Sequence, residues 1–343
     1  MSIDTQLIRA LLEDDHHRIA AGATVWAARE IASLGICHDD ESAREQARLI
    51  VKRLGEGGVL AHAIPKTDLR ACALLREILG YHSPLADSTF ALQCLGSMPI
   101  VLAGSDELQA TWLAAVLSGQ AMAAFAMTEP EAGSDVGSMR ARAVRDGAEY
   151  VLTGEKHLIT NAGIADFYTV FASTEPEAGS RGLSCFVVPA DAPGLLFEGP
   201  QVLSEPHPLG SLRFAECRVP ASHLLGREGD GFRIGMATLD RLRPTVAAAA
   251  CGMAKRALDE AVGHARKRRQ FGKRLADQQL IQSKLAEMSM QLSAARLLVY
   301  RAAWEKDQGT ERITVPAAMA KAFATEAAQG IIDQAVQIHG GRG

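Results

Sequence analysis

The 343-residue chain lacks the features that mark several classes of protein. Its net charge is −4 and its pI is near 6.2, so no excess of positive charge favours nucleic acid or an anionic membrane surface. No apolar run approaches the roughly 20 residues of a membrane-spanning helix. The first residues, with Asp4, Glu13, Asp14 and Asp15, do not resemble a signal peptide or a basic transit peptide. We therefore expect a cytoplasmic protein that binds neither nucleic acid nor membranes.

Spacings typical of metal sites are also missing. The six cysteines are scattered without a C-x-x-C pair, and the ten histidines form no H-E-x-x-H. Scattered cysteines are typical of reduced, packed thiols. The sequence therefore predicts no metal site.

Changes in composition divide the chain into three segments. Residues 1–120 are rich in Ala, Leu, Glu and Arg, which predicts an N-terminal α-helical domain. Residues 121–228 alternate short apolar runs with turn clusters, which predicts a central β-domain. Residues 229–343 return to a helical pattern and predict a C-terminal α-helical domain, so the fold class is α+β. Breaks between the N-terminal helices are expected at Gly35, Gly55 to Gly58, Pro65, Gly80 to Pro84, and Pro99.

Two long helices are expected in the last segment. Apolar residues repeat at alternating steps of four and three from Ile281 to Val299, which predicts one helix with a continuous apolar stripe. A second helix should run from about Val315 to His339 and end at Gly340 and Gly341, because glycines suit a left-handed C-terminal cap.

The loop from Thr128 to Asp135 is the most informative local segment. It reads T-E-P-E-A-G-S-D and follows an apolar run that predicts a strand. A strand that ends in a hydroxyl, a carboxylate, a proline and then Gly133 turns sharply and presents backbone N–H groups beside two hydroxyls. Such a loop suits the polar edge of a ring, but these residue types also form ordinary surface turns. Taken alone, the loop leaves both interpretations open.

Three further motifs follow this loop along the chain. They are Gly154-Glu155-Lys156 leading to Ile159-Thr160-Asn161, then Arg268 to Lys273, and finally Gln337 to Gly341. In this order the four motifs resemble the acyl-CoA dehydrogenase family, over the whole chain and most strongly from Phe125 onward. The resemblance implies an N-terminal α-helical domain, a central β-barrel-like domain, a C-terminal helical bundle and an FAD cofactor.

The resemblance also implies which residues of the β-domain meet the flavin. The segment Phe125 to Ser134 would line the ring and the thioester end of the substrate, with Ser134 toward CoA. Many family members carry tryptophan at the position of Leu158, so this difference should alter flavin affinity and potential rather than abolish binding. The residues expected at the ring are Phe125, Met127, Thr128, Gly133, Ser134, Leu158 and Thr160.

A basic run from His264 to Arg274 has two interpretations. A solvated helix end is one, and binding of the FAD pyrophosphate by guanidinium groups is the other. Family members use this segment and the Gln337 to Gly341 loop on the neighbouring subunit, so the resemblance implies a homo-oligomer, a dimer or a tetramer. The residues expected to bind FAD in this way are Arg268, Gln270, Phe271, Gln278, Gln279, Gln337, Gly340 and Gly341.

Substrate contacts and the catalytic base are less well defined. Asp240 and Arg243 are candidate substrate-binding residues, but an ordinary i,i+3 helix pair explains them equally well. Removal of the substrate α-proton needs a carboxylate. The family's usual glutamate lies C-terminal to the Gln337 to Gly341 motif, beyond Gly343, and its alternative position holds Leu242. We therefore expect that the C-terminal segment is truncated, or is disordered sequence omitted from the chain, and leave the catalytic residue unknown.

Three functions fit these observations. The first is FAD-dependent α,β-dehydrogenation of an acyl-CoA, with electrons passed to an electron-transfer flavoprotein. The second is dehydrogenation of a carrier-protein thioester, or a flavin oxidase, on the same scaffold. The third is a non-catalytic acyl-CoA or flavin-binding protein, which the missing base permits.

Overall fold

A computed structural model describes residues 3–66 and 68–343, which form two compact units. The helical unit contains residues 3–33, 68–87 and 240–343, and the sheet unit contains residues 34–66 and 88–239. The chain therefore crosses between the units several times. The predicted domain boundaries near residues 120 and 228 stay a prediction, although both fall between elements of different type.

Among the described residues, five α-helices precede the first strand. Asp39, Asp68 and Ser105 each accept a hydrogen bond from a backbone N–H in the first turn of the following helix, which explains where three of the helices begin. The predicted break at Pro99 is wrong, because that residue lies inside a largely buried apolar helix whose packing outweighs the missing N–H. The five helices are α1 (Asp14–Glu30), α2 (Asp40–Glu56), α3 (Leu69–His82), α4 (Pro84–Ala103) and α5 (Asp106–Leu117).

Helix α4 is long and apolar enough, by length and composition alone, to cross a membrane. However, 67% of its most apolar window is buried inside the protein, as is usual for the core helix of a globular fold. Its apolar character is therefore explained by packing.

One mixed sheet of eight strands forms the centre of the sheet unit. The hydrogen-bonded order is β6-β7-β3-β2-β4-β5-β8, and β1 pairs in parallel with β4. Strands β4 and β5 are buried on both faces, which explains their continuous apolar sequences. The strands are β1 (Ala123–Ala126), β2 (Arg142–Asp146), β3 (Glu149–Thr160), β4 (Phe167–Ser173), β5 (Leu183–Pro189), β6 (Leu195–Pro200), β7 (Leu209–Pro220) and β8 (Leu224–Leu225).

The C-terminal part is helical apart from one short hairpin. It contains α6 (Gly231–Lys267), strands β9 (Arg269–Gln270) and β10 (Lys273–Arg274), α7 (Gln279–Asp307) and α8 (Thr314–His339). The two predicted long helices and the α+β class are confirmed. The predicted left-handed cap is wrong in detail, because Gly340 combines a φ of +62° with a ψ of −135°. That backbone conformation is accessible mainly to glycine.

Candidate functional site

The loop after β1 presents polar groups beside an apolar wall. Glu129 and Ala132 exchange backbone hydrogen bonds of 3.0 and 3.2 Å, which closes a tight turn. The hydroxyl residue Thr128 before the turn is half-buried. The wall consists of Phe125, which lies in β1, and Met127, which directly follows that strand. Gly133 and Ser134 lie exposed on the far side of the turn.

A buried ion pair fixes the two ends of this loop. Glu129 accepts hydrogen bonds from the backbone N–H groups of Arg140 and Ala141 at 2.6 and 3.0 Å. Lys156 Nζ donates to Glu129 Oε1 at 2.8 Å and to the Met127 carbonyl at 3.0 Å. Lys156 is fully buried, and burial lowers its pKa while Glu129 opposes that shift. The pair holds the loop against β3.

A bulge in β3 brings the second predicted segment to the same loop. The His157 N–H donates to the Thr128 carbonyl at 2.9 Å, so Thr128 and Leu158 are neighbours. The pairing of β3 with β7 shifts register between Lys156 and Ile159. At this shift Leu158 adopts a φ of +54°, unusual for a non-glycine residue, and is 49% exposed. A strained, exposed apolar side chain beside a polar loop is typical of a ligand contact.

Two residues that the sequence did not indicate support this segment. Gln201 Oε1 accepts the Leu158 N–H at 2.8 Å. His207 Nε2 lies 3.1 Å from Thr160 Oγ1. Both come from the loop between β6 and β7, about 45 residues along the chain, so no local spacing could have revealed them.

In the helical unit the basic run begins in the last turn of α6 and continues into a short hairpin. Helix α6 ends at Lys267, and the two-residue turn between β9 and β10 consists of Phe271 and Gly272. Both have positive φ, +51° and +74°, as a type I′ turn requires. Phe271 is 95% exposed at the tip. A phenylalanine in such a strained and exposed position suits contact with another molecule.

Positive charge gathers at the base of this hairpin. The rings of His264 and His339 lie 4.6 Å apart between centroids, which joins the end of α6 to the end of α8. Burial lowers the pKa of His264, and His339, Arg268 and Arg342 add to the shift because they carry or gain like charge nearby. The structure thus brings the Arg268 segment close to the Gln337 to Gly341 segment. Arg342 was not singled out in the sequence.

The other residues of the helical unit that were predicted to bind FAD lie at or near the ends of helices and strands. Gln278 directly precedes α7, without a side-chain capping hydrogen bond, and is half-buried, whereas Gln279 begins the helix and is exposed. Gln270, Gln337, Gly340 and Gly341 are exposed. All of these backbones are therefore placed at the ends of elements, where a ligand can approach.

Asp240 and Arg243 form the helix pair that the sequence left open. Arg243 Nη1 donates to Asp240 Oδ1 at 3.2 Å, and Asp240 Oδ2 accepts a bond from the Thr314 hydroxyl at 2.6 Å. Their role toward a substrate stays a prediction. Leu242 between them is 5% exposed and carries no acid or base.

One cluster in the described chain has the spacing of a metal site. His16, Asp68 and Asp307 bring their ligand atoms within 4.8 Å of one another. However, the Asp68 carboxylate already accepts hydrogen bonds from the His16 ring and from the Ala71 N–H. Arg70 Nε donates to the Asp307 carboxylate at 2.9 Å. A neighbouring guanidinium and satisfied acceptors make this a structural network.

The residues present fit a flavin. The sheet unit offers neutral hydroxyls at Thr128 and Thr160 with apolar groups around them, which suits a neutral ring with a polar edge. The helical unit offers the arginines and histidines near Arg268, which suit the two phosphates of a dinucleotide.

Comparison with known proteins gives consistent matches over the chain. Residues 13–120, 124–217 and 229–343 match the N-terminal, middle and C-terminal domains of acyl-CoA dehydrogenase. A probable acyl-CoA dehydrogenase of Mycobacterium tuberculosis is 36% identical over 342 residues, which cover 97% of this chain and 87% of the relative.

Two solved structures have the same fold. One chain, from work on the electron transferring flavoprotein of Acidaminococcus fermentans, has a TM-score of 0.88 and 34% identity, with 96% of this chain and 89% of that chain covered. A glutaryl-CoA dehydrogenase from Mycobacterium smegmatis, in complex with FADH2, has a TM-score of 0.88 and 28% identity, with 97% and 86% covered.

Proposed function

Because the chain belongs to the acyl-CoA dehydrogenase family and is an oxidoreductase acting on acyl-CoA, we propose that it binds FAD and uses it to form an α,β-double bond in an acyl thioester. The observation that carries the proposal is the hydrogen bond between His157 and Thr128, which unites the two ring-contacting segments. The FADH2 bound to the relative from Mycobacterium smegmatis supports the choice of cofactor.

The residues of the sheet unit would hold the flavin ring. Thr128 and Thr160 would hydrogen-bond its polar edge, and Phe125, Met127 and Leu158 would exclude water from its faces. Gly133 and Ser134, exposed beyond the turn, would meet the thioester end of the substrate. When bound, FAD supplies the acceptor for the hydride that leaves the β-carbon.

The residues near the hairpin would bind the phosphates and adenosine of FAD from a second subunit. Arg268, with Arg342 and the two histidines, would neutralise the pyrophosphate, and Phe271 would supply an apolar contact. In this arrangement the ring residues come from one subunit and the phosphate-binding residues from another. A homo-oligomer, dimer or tetramer, follows from it.

Exposed apolar stripes on α7 and α8 support self-association. On α7 the stripe repeats every seven residues, and on α8 it repeats every four, so each stripe lies on one helix face. Stripes of this kind are unfavourable in water and are usually covered by another chain. Their members are Met290, Leu297 and Trp304 on α7, and Val315, Met319 and Phe323 on α8.

The proposed reaction also needs an electron acceptor and a catalytic base. An electron-transfer flavoprotein is the proposed electron acceptor, which the match to the chain from Acidaminococcus fermentans supports. Abstraction of the α-proton needs a carboxylate, and Leu242 cannot provide one. A flavin-binding role without turnover is therefore the second candidate. A cytoplasmic location stays a prediction.

Titration of the FAD-free protein with FAD tests the proposal. We expect saturable binding of FAD and none of NAD. Arg268→Ala should weaken FAD binding by roughly 1.5–3 kcal/mol, the range for hydrogen bonds to charged groups, whereas Arg266→Ala in the same basic run should change it little. Equal effects of the two substitutions, or a monomer that binds FAD as tightly as the oligomer, would refute a phosphate site shared between subunits.

A further inference from the structure

A half-buried histidine connects the end of β3 to helix α4. His207 Nε2 lies 3.1 Å from Thr160 Oγ1, and His207 Nδ1 lies 3.4 Å from Ser88 Oγ. The imidazole therefore bridges two hydroxyls. The proposed function places one of these, that of Thr160, at the flavin.

The backbone beside the ring is fixed by hydrogen bonds to β3. The Asn161 N–H donates to the Pro208 carbonyl at 2.6 Å, and Leu209 pairs with Thr160 at the start of β7. The His207 carbonyl accepts the Leu209 N–H at 2.7 Å. Because Pro208 and Leu209, the two residues that follow His207, are held to the end of β3, the backbone that carries the ring is fixed beside Thr160.

The surroundings of the ring favour its neutral form. Burial lowers the pKa of His207, the nearby Arg44 cation lowers it further, and Asp40 opposes them. These two charged residues of α2 face the ring, while α4 and β3 contribute the hydroxyls of Ser88 and Thr160. A neutral imidazole carries one N–H, so it donates to one hydroxyl and accepts from the other.

We propose that His207 is a positioning residue for the flavin site, whose Nε2–H donates to Thr160 Oγ1 and leaves the Thr160 hydroxyl proton free to point toward the flavin. Its Nδ1 accepts from Ser88. This inference rests on the proposed function, because it assigns Thr160 to the flavin edge. In the opposite tautomer the Thr160 hydroxyl would donate its proton to His207 Nε2, and it could then only accept a hydrogen bond from the cofactor.

The position of the imidazole N–H is measurable without FAD. Nitrogen-15 NMR of the FAD-free protein above the pKa of His207 should show the Nε2–H tautomer, and Thr160→Val should perturb the Nε2 signal more than the Nδ1 signal. An Nδ1–H tautomer would overturn the proposal.

Three substitutions at His207 test its effect on the cofactor. Glutamine can place an amide N–H near the position of Nε2, asparagine near that of Nδ1, and leucine offers neither. We expect FAD affinity near the wild-type value for His207→Gln, and a loss of about 2- to 10-fold for His207→Asn and His207→Leu, the range for one neutral hydrogen bond. The visible spectrum of bound flavin should change with the affinity.

Two controls separate positioning from general stability. His223 hydrogen-bonds only the Val187 carbonyl among described groups, so His223→Leu should leave FAD affinity unchanged. In the Thr160→Val background, His207→Leu should cause no further loss, since the two residues act through one hydroxyl. Additive losses, or wild-type affinity and spectrum in His207→Leu, would overturn the inference alone. Failure of the wild-type protein to bind FAD would refute the proposed function and the inference with it.

Discussion

Replacing Lys156 with methionine should loosen the loop that carries Thr128. The substitution removes a buried cation that donates to Glu129 at 2.8 Å and to the Met127 carbonyl at 3.0 Å. The Glu129 carboxylate, 6% exposed, would then stay buried without its counter-charge. Removing one partner of a buried ion pair costs about 3–5 kcal/mol, and we expect a loss of that size in the free energy of unfolding of the sheet unit.

Amide hydrogen exchange measures this loss of stability at the residues that contact Glu129. The amides of Arg140 and Ala141 donate to Glu129, so their protection should fall by about 10²–10⁴-fold in Lys156→Met, following the 3–5 kcal/mol above. FAD affinity should fall as well, because the ring-binding loop is anchored by the same carboxylate. The double variant Glu129→Gln/Lys156→Met should recover part of the loss, since it buries no charge.

A second lysine offers a matched control. Lys52 pairs with Glu56 at 3.9 Å on the exposed face of α2, in the same unit. Exposed pairs of this kind contribute about 0–1 kcal/mol, so Lys52→Met should change stability and exchange very little. The reasoning is refuted if Lys156→Met costs no more than Lys52→Met, or if the amides of Arg140 and Ala141 keep their protection.

Three other predictions follow from single features of the structure. Leu158→Gly should leave stability unchanged or raise it by up to about 1 kcal/mol in thermal melting, because Leu158 has a φ of +54°, yet it should weaken FAD binding; Leu158→Ala should weaken FAD binding without the gain. Phe271→Ser should change monomer stability by less than about 0.5 kcal/mol, since the ring is 95% exposed, but should reduce FAD affinity and self-association in sedimentation measurements. Although burial raises the pKa of Asp68, hydrogen bonds from His16 and the Ala71 N–H and the charge of Arg70 lower it to about 2. Since an unfolded Asp has a pKa near ~3.9, the ionised group stabilises the fold above about pH 4, and this contribution is lost as pH falls toward 2. Urea unfolding of Asp68→Asn should show a weaker pH dependence in that window, and an unaltered pH dependence would contradict the assignment.

The elements that the sequence predicted are those with local, periodic signals. The apolar stripe from Ile281 to Val299 predicts α7, and the apolar runs of the central segment predict β3, β4, β5 and β7. The break at Pro99 failed because tertiary burial kept α4 continuous against a local preference. Local rules therefore serve well wherever packing does not oppose them.

In the candidate site, too, continuous motifs could be predicted from the sequence, whereas contacts between distant residues could not. The loop that begins at Thr128 and the segment around Leu158 were indicated as ring contacts because each is a continuous motif in the sequence. The contacts that hold these segments in place could not be predicted, because the partners are far apart in sequence. Lys156 contacts Glu129 across 27 residues, and His207 contacts Thr160 across 47. The hairpin at Phe271 was missed because phenylalanine is unusual at positive φ, so its residue type gave no turn signal.

Anaerobic addition of acyl-CoA to the FAD-loaded protein is the most direct test of the central claim, that this chain passes hydride from an acyl-CoA to FAD. The account predicts loss of flavin absorbance. Leu242→Glu should accelerate it, up to the 10²–10⁴-fold typical of a general base. A flavin spectrum that shifts but never bleaches in either protein would contradict the claim and would leave binding without turnover.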